Sequence, residues 1–99
     1  MRMMLKVTVP VVEGNKTIAD GTLPKTMMGF IEKHKPESSY FVTSNGRRCA
    51  YFFFDLKDNA SVPSIAEPFF VNLHAEIEFQ PAMTPEDLKA GLERAMKEH

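Results

Sequence analysis

Tyr40-Phe41-Val42-Thr43-Ser44, then Asn45-Gly46, then Arg47-Arg48-Cys49-Ala50-Tyr51-Phe52-Phe53-Phe54 is the stretch that decides the fold. Two runs rich in aromatic and β-branched residues flank an Asn-Gly pair. Asn-Gly suits a two-residue type I′ turn, whose central residues both need positive φ. Such a turn sets the register. Ser44 falls opposite Arg47, Val42 opposite Cys49 and Tyr40 opposite Tyr51, while Phe41 meets Ala50 on the other side of the ribbon.

Upstream, Arg2 to Val11 alternates, with Met3, Leu5, Val7, Val9 and Val11 opposed to Met4, Lys6 and Thr8, which predicts a strand. Pro10 fits the end or edge of that strand, and Glu13 to Asn15 is read as a turn. Asn15 to Asp20 carries no decisive pattern. Leu23, Met27, Phe30, Ile31 and His34 then recur on one helical stripe, with Thr22 as N-cap and Pro24 in the first turn. Pro36 disfavours helical geometry at Lys35, so this helix is expected to stop near His34.

Downstream, Ser61 to Asn72 reads as a helix capped by Ser61, with Val62, Ile65, Ala66, Phe69 and Leu73 in phase and a kink expected at Pro68. Leu73 to Gln80 alternates again and predicts a strand. Thr84-Pro85-Glu86-Asp87 starts a last helix with Leu88, Gly91, Leu92, Ala95 and Met96 on one stripe.

The order is βαββαβ plus a C-terminal helix, the ferredoxin-like pattern of an α+β domain with a four-stranded antiparallel sheet. Its crossovers are expected to place the helices on one sheet face. Beneath them belong Leu5, Val7, Val9, Phe41, Ala50, Phe52, Phe54, Ile77 and Phe79, an apolar set. The other face carries Met4, Lys6, Thr8, Tyr40, Val42, Cys49, Tyr51, Phe53, His74, Glu76 and Glu78. Left wet, Tyr40, Val42, Tyr51 and Phe53 would make an apolar patch too large for so small a monomer. The C-terminal helix could cover part of it, but a second copy of the sheet covers it more completely, which predicts a homodimer with Met4, Lys6, Tyr40, Val42, Cys49, Tyr51, Phe53 and Glu76 at the interface.

Ninety-nine residues predict one domain spanning residues 1–99. Twelve Lys and Arg against thirteen Asp and Glu leave a net charge of −1, so no nucleic-acid footprint is expected. No apolar run approaches the ~18 residues of a membrane span, so no membrane partner is expected. A single cysteine excludes an internal disulfide and a Cys-based zinc site. Lys6 and Thr8 interrupt the apolar N-terminal residues before any export signal forms, and the unpaired thiol then points to the cytoplasm.

The βαββαβ order, the Phe-rich third strand and the Ile65-Ala66-Glu67-Pro68-Phe69-Phe70 segment resemble the dimeric α+β barrel superfamily, over Met1 to Pro81. The resemblance implies two ferredoxin-like chains packed sheet against sheet. The superfamily includes muconolactone-isomerase-like enzymes, cofactor-independent quinone-forming monooxygenases, haem-degrading monooxygenases and small proteins of no assigned activity. The chain is most similar to the last group, and no catalytic residue is carried over.

The candidate chemical groups are few. His34 is placed at the end of the first helix, where an imidazolium would complement the dipole. His74 is placed at the start of the last strand, and three dispersed histidines make no metal site. Glu76 and Glu78 read as partners of Lys6 rather than as a carboxylate dyad. Cys49 reads as a small apolar filler. Glu67 precedes Pro68, where a kinked helix would turn its carboxylate toward a cavity. The expected ligand pocket is lined by Met27, Phe30, Phe52, Phe54 and Phe69, with His34 or Glu67 as polar handle. These residues suit binding of a small hydrophobic ligand without a cofactor. The alternative is a cofactor-independent isomerase or monooxygenase acting on a small aromatic compound.

Overall fold

A computed structural model describes residues 1–98. The elements run β1 (Arg2–Val9), α1 (Val11–Ala19), α2 (Thr22–His34), β2 (Ser38–Ser44), β3 (Arg47–Asp55), α3 (Ser61–Leu73), β4 (Glu76–Pro81) and α4 (Pro85–Glu98). The strands form one antiparallel sheet in the order β2-β3-β1-β4, an α+β arrangement consistent with a ferredoxin-like fold carrying a C-terminal helix. The hairpin has the expected register, Tyr40 opposite Tyr51 and Phe41 opposite Ala50. Asn45 and Gly46 both adopt positive φ, 52° and 76°, as a type I′ turn demands.

Cross-strand pairing sorts the sheet into two faces. Leu5 lies opposite both Phe52 and Phe79, and Val7 opposite both Ala50 and Ile77. These residues pack beneath α2 and α3, joined by Met27, Phe30, Ile65, Phe69 and Leu73 in one core. Four aromatic rings knit its centre. Phe30 lies 4.7 Å from Phe52, 5.3 Å from Phe54 and 5.8 Å from Phe69, centroid to centroid. Such pairs add about 0.5–1.5 kcal/mol each beyond the area they bury.

Several expectations are corrected. The first strand ends at Val9, and Val11 to Ala19 form α1 in place of a strand end and turn. Pro10 is the pivot: at φ −59° and ψ 146° it leaves the strand, and its carbonyl accepts the Gly14 N–H at 2.8 Å. Gly14 and Thr17 face inward, and a Cβ on Gly14 would sit 2.5 Å from Arg48 Nη1, so glycine permits this close approach. The N-cap of α2 is Gly21, at φ 84°, not Thr22, whose N–H donates to Asp20 Oδ1 at 2.9 Å just before the helix. Asp58 likewise accepts from the Ser61 N–H and hydroxyl at the start of α3.

The helical phase of α3 runs on to Leu73, which is fully buried, so β4 starts at Glu76 rather than at Leu73. His74 is the left-handed C-cap of α3 at φ 52° and does not share the strand face with Glu76. Its Nδ1 lies 3.6 Å from Glu13 of α1. Phe41 points to the helix side as alternation requires, yet it is 60% exposed. The helices cover β1 and β3, cover the edge strand β4 in part and leave β2 open, so position on the apolar face does not bring burial there. Pro68 sits inside a continuous α3.

Candidate functional site

A concavity of about 450 Å³ lies between α2 and α3. It follows from two residue spacings. On α2, Thr22, Lys25, Thr26, Gly29 and Lys33 form a polar stripe alongside the buried Leu23-Met27-Phe30 stripe. On α3, Ser64, Pro68 and Asn72 recur every four residues and face it. Thr26 and Gly29 are small, so the helices leave room between them. The floor is apolar, from Phe30, Ile65 and Pro68. At one end Asn72 donates to the Thr26 hydroxyl at 3.3 Å, and Thr26 in turn donates to the Thr22 carbonyl at 2.8 Å.

The electrostatics of the groove are one-sided. Lys25, Lys33 and His34 line it, and no acidic side chain does. His34 stacks at 4.9 Å on Phe30 and lies 6.0 Å from Phe54. This burial, with Lys33 beside it, lowers the imidazole pKa below its ordinary value. Desolvation against Phe30 thus opposes the imidazolium expected at a helix C-terminus rather than favouring it. A neutral imidazole offers one donor and one acceptor.

Of the seven residues expected to line a pocket, Phe30 and His34 reach this groove. Phe52 and Phe69 are buried in the core against Phe30, while Met27 and Phe54, buried in the same core, line two other concavities, Met27 one between α2 and β2 and Phe54 one beside Arg2, Glu37 and Asp55. Glu67 is exposed on α3 and does not line the groove. Lys25, Thr26, Lys33, Ser64 and Asn72 were legible only as solvated helix faces. Their spacing was the available signal, but it acquires meaning only when two such faces are apposed.

The open sheet face gathers Met4, Lys6, Tyr40, Val42, Cys49, Tyr51, Phe53 and Glu76 as expected, since all eight alternate onto it. Tyr40 is 59% exposed and Val42 is exposed, while Met4, Lys6, Tyr51 and Phe53 are half-buried. Cys49 is buried among larger neighbours, with the Thr8 hydroxyl 3.8 Å from its Sγ. The Lys6 ammonium stands 5.7 Å over the Tyr51 ring, and Tyr51 rather than Glu78 is the main influence raising its pKa. Glu76 reaches Arg47 at 3.5 Å instead.

Among the described residues no cluster of His, Cys, Asp and Glu could hold a metal ion, and no helix is long and apolar enough to cross a membrane. His99 lies outside the described residues. Comparison of the sequence with protein-family models and with curated proteins finds no match.

Proposed function

We propose that this protein is a homodimer that binds a small ligand with a hydrophobic body and an anionic end, in the groove between α2 and α3. The observation that carries this reading is the lining of that groove: an apolar floor at Phe30, Ile65 and Pro68 beneath a rim of Lys25, Lys33 and His34. A volume of about 450 Å³ falls within the range of small-molecule sites. The apolar floor supplies affinity through burial, and the lysines select the charge of the head group. Pairing of two chains through their open sheet faces accounts for the exposed Tyr40 and Val42 beside Tyr51 and Phe53.

Calorimetric titration with a matched pair, an aromatic carboxylate and the corresponding aromatic amine, tests the site. The carboxylate is expected to bind and the amine not to. Lys33→Glu is expected to abolish the difference, and equal binding of both probes to the native chain would overturn the reading. Light scattering at micromolar concentration tests the dimer, which should have twice the chain mass of 11.2 kDa.

One observation favours a second reading, an isomerase or monooxygenase of a small aromatic compound that needs no cofactor. His34 lines the groove half-buried against Phe30 and Phe54, and that burial favours the neutral ring, the form a general base requires. Turnover of a bound aromatic compound that is lost in His34→Ala but retained in His34→Gln would count against a base, because Gln restores hydrogen bonding without proton transfer.

A further inference from the structure

Asn72 of α3 donates to the Thr26 hydroxyl of α2 at 3.3 Å, which puts residues 26 and 72 level with each other. The two helices run antiparallel, because Lys33 and His34 at the end of α2 share the groove with Ser64 and Ile65 near the start of α3. Counting in steps of four from that anchor pairs Phe30 with Pro68 and His34 with Ser64. The groove is thus built in three rungs, Thr26 with Asn72, Phe30 with Pro68, and His34 with Ser64, and all six residues line it. At ~1.5 Å rise per residue successive rungs are about 6 Å apart and the outer two about 12 Å apart. Both ends are polar and the middle is apolar. Gly29 widens the middle, since nothing lies within 4 Å of the Cβ it lacks.

The two polar ends differ in what they offer. At the first rung the Thr26 hydroxyl donates to the Thr22 carbonyl at 2.8 Å, so toward Asn72 it serves as acceptor. That orients the Asn72 amide with its nitrogen toward Thr26 and leaves the carbonyl Oδ1 to accept from another group. Lys25 lines this same end. A carboxylate here would meet the Asn72 oxygen, and an ammonium would meet Lys25, so the group that matches is a neutral hydroxyl. At the third rung the balance is reversed. The Ser64 hydroxyl is spent on the Ser61 carbonyl at 2.9 Å, and the donors that line this end are the Lys33 ammonium and the His34 ring. This end suits the anion.

We infer that the groove takes a hydroxylated aromatic acid, its hydroxyl donating to Asn72 Oδ1, its ring on Phe30 and Pro68, and its carboxylate at Lys33 and His34. The inference rests on the ligand reading of the groove proposed above and adds the hydroxyl at the far end and the direction in which the ligand lies. It does not depend on pairing with a second copy of the chain. A single ring with a para hydroxyl and a short acid chain reaches between the outer rungs, with a hydrogen bond of about 3 Å at the hydroxyl and the Lys33 side chain closing the remainder.

Calorimetric titration with phenylpropionate, its para-hydroxy derivative and its para-methoxy derivative tests the assignment. The hydroxy acid is expected to bind about three- to tenfold tighter than the parent acid, the gain of one neutral hydrogen bond. The methoxy acid, which keeps the oxygen but has no proton to donate, is expected to bind no tighter than the parent. In Asn72→Leu, at an exposed position, the hydroxy and parent acids should bind alike. Lys33→Met should weaken the parent acid at least about fivefold more than Lys25→Met does. Equal affinity of hydroxy and parent acids for the native chain overturns the far-end hydroxyl and leaves the groove as an acid site. A hydroxyl advantage that the methoxy acid shares, or that persists in Asn72→Leu, overturns it too, and the methoxy comparison needs no variant to fold. Equal or reversed losses in the two lysine variants overturn the direction. No binding of any of the three acids overturns the ligand reading and this inference with it.

Discussion

The imidazole of His34 lies 4.9 Å from the ring of Phe30, inclined to it by 33°, and this contact positions the ring at the groove and removes part of its water. Phe30 is itself wedged against Phe52, Phe54 and Phe69, so the support under His34 is the packed centre of the core. Groove and core are thus one mechanical unit.

The first prediction concerns the charge state of His34. Burial disfavours the imidazolium, so His34 is expected to titrate below its ordinary value of 6.5. The unfolded chain then binds a proton at a pH where the folded chain does not. Its contribution to stability is complete above 6.5 and declines as pH falls through that value toward the lower folded pKa. Ring NMR of the native chain checks the midpoint, and Phe54→Leu, which opens one side of the ring, should raise it. A midpoint at or above 6.5 would refute the stacked placement.

A second prediction separates core from surface. Phe52 is fully buried, and Phe52→Ala should cost about 3–5 kcal/mol in denaturant unfolding through lost transfer energy and the cavity left behind. Val71, 70% exposed on α3, should change stability by no more than about 0.5 kcal/mol on replacement by Ala. Comparable losses in both variants would mean that the aromatic cluster is not the core.

The glycines supply a third, with opposite signs at two positions. Gly46 stands at φ 76° with open space around its missing Cβ, so Gly46→Ala is penalised by conformation alone, about 1–2 kcal/mol. Gly29 lies inside α2 at ordinary helical φ, also with nothing near its missing Cβ. Gly29→Ala should therefore stabilise by about 0.5–1 kcal/mol, because alanine loses less backbone entropy on folding. Thermal unfolding of the two variants reads the contrast directly.

Asp55 yields a fourth. The Lys57 ammonium at 2.8 Å, followed by the Met1 amino group, pulls its pKa down to about 2. A depressed carboxyl contributes its stability above the ordinary value of 3.8 and loses it as pH falls toward about 2. Both partners are exposed, so the effect on stability is small and salt-sensitive. The carboxyl resonance should titrate near 2 in the native chain, and Lys57→Met should move it up toward 3.8.

These results show where local sequence is sufficient and where it is not. The β2–β3 register was legible because Asn45-Gly46 determines pairing within a few residues, with no long-range information. Helix α1 was not, because Val11 extends the alternation of Val7 and Val9 past Pro10, so strand and helix phases overlap at the junction. The same overlap at Leu73 and Ala75 hid the true start of β4. Phe41 was assigned to the right face but the wrong environment: alternation gives direction, while cover depends on how far the helices reach across the sheet. The groove was least legible. Its residues read as two solvated helix faces, and only the packing of α2 on α3 brings Lys25 and Lys33 over the same floor as Ser64 and Pro68.

Pro68 sharpens that last point into a fifth prediction. It occupies the interior of α3, where proline removes a backbone hydrogen bond and crowds the preceding turn. Its own ring is exposed, so little core packing opposes replacement. Pro68→Ala should therefore stabilise the fold by about 1–3 kcal/mol, since the interior penalty is roughly 3 kcal/mol and the surrounding helix has already adjusted to part of it. Yet the ring lines the groove floor beside Phe30 and Ile65. The same variant should thus weaken binding of the aromatic carboxylate while raising the unfolding midpoint, the opposition expected where a binding surface is maintained against local propensity. A variant that is both more stable and an equally good binder would show that the proline floor has no part in recognition.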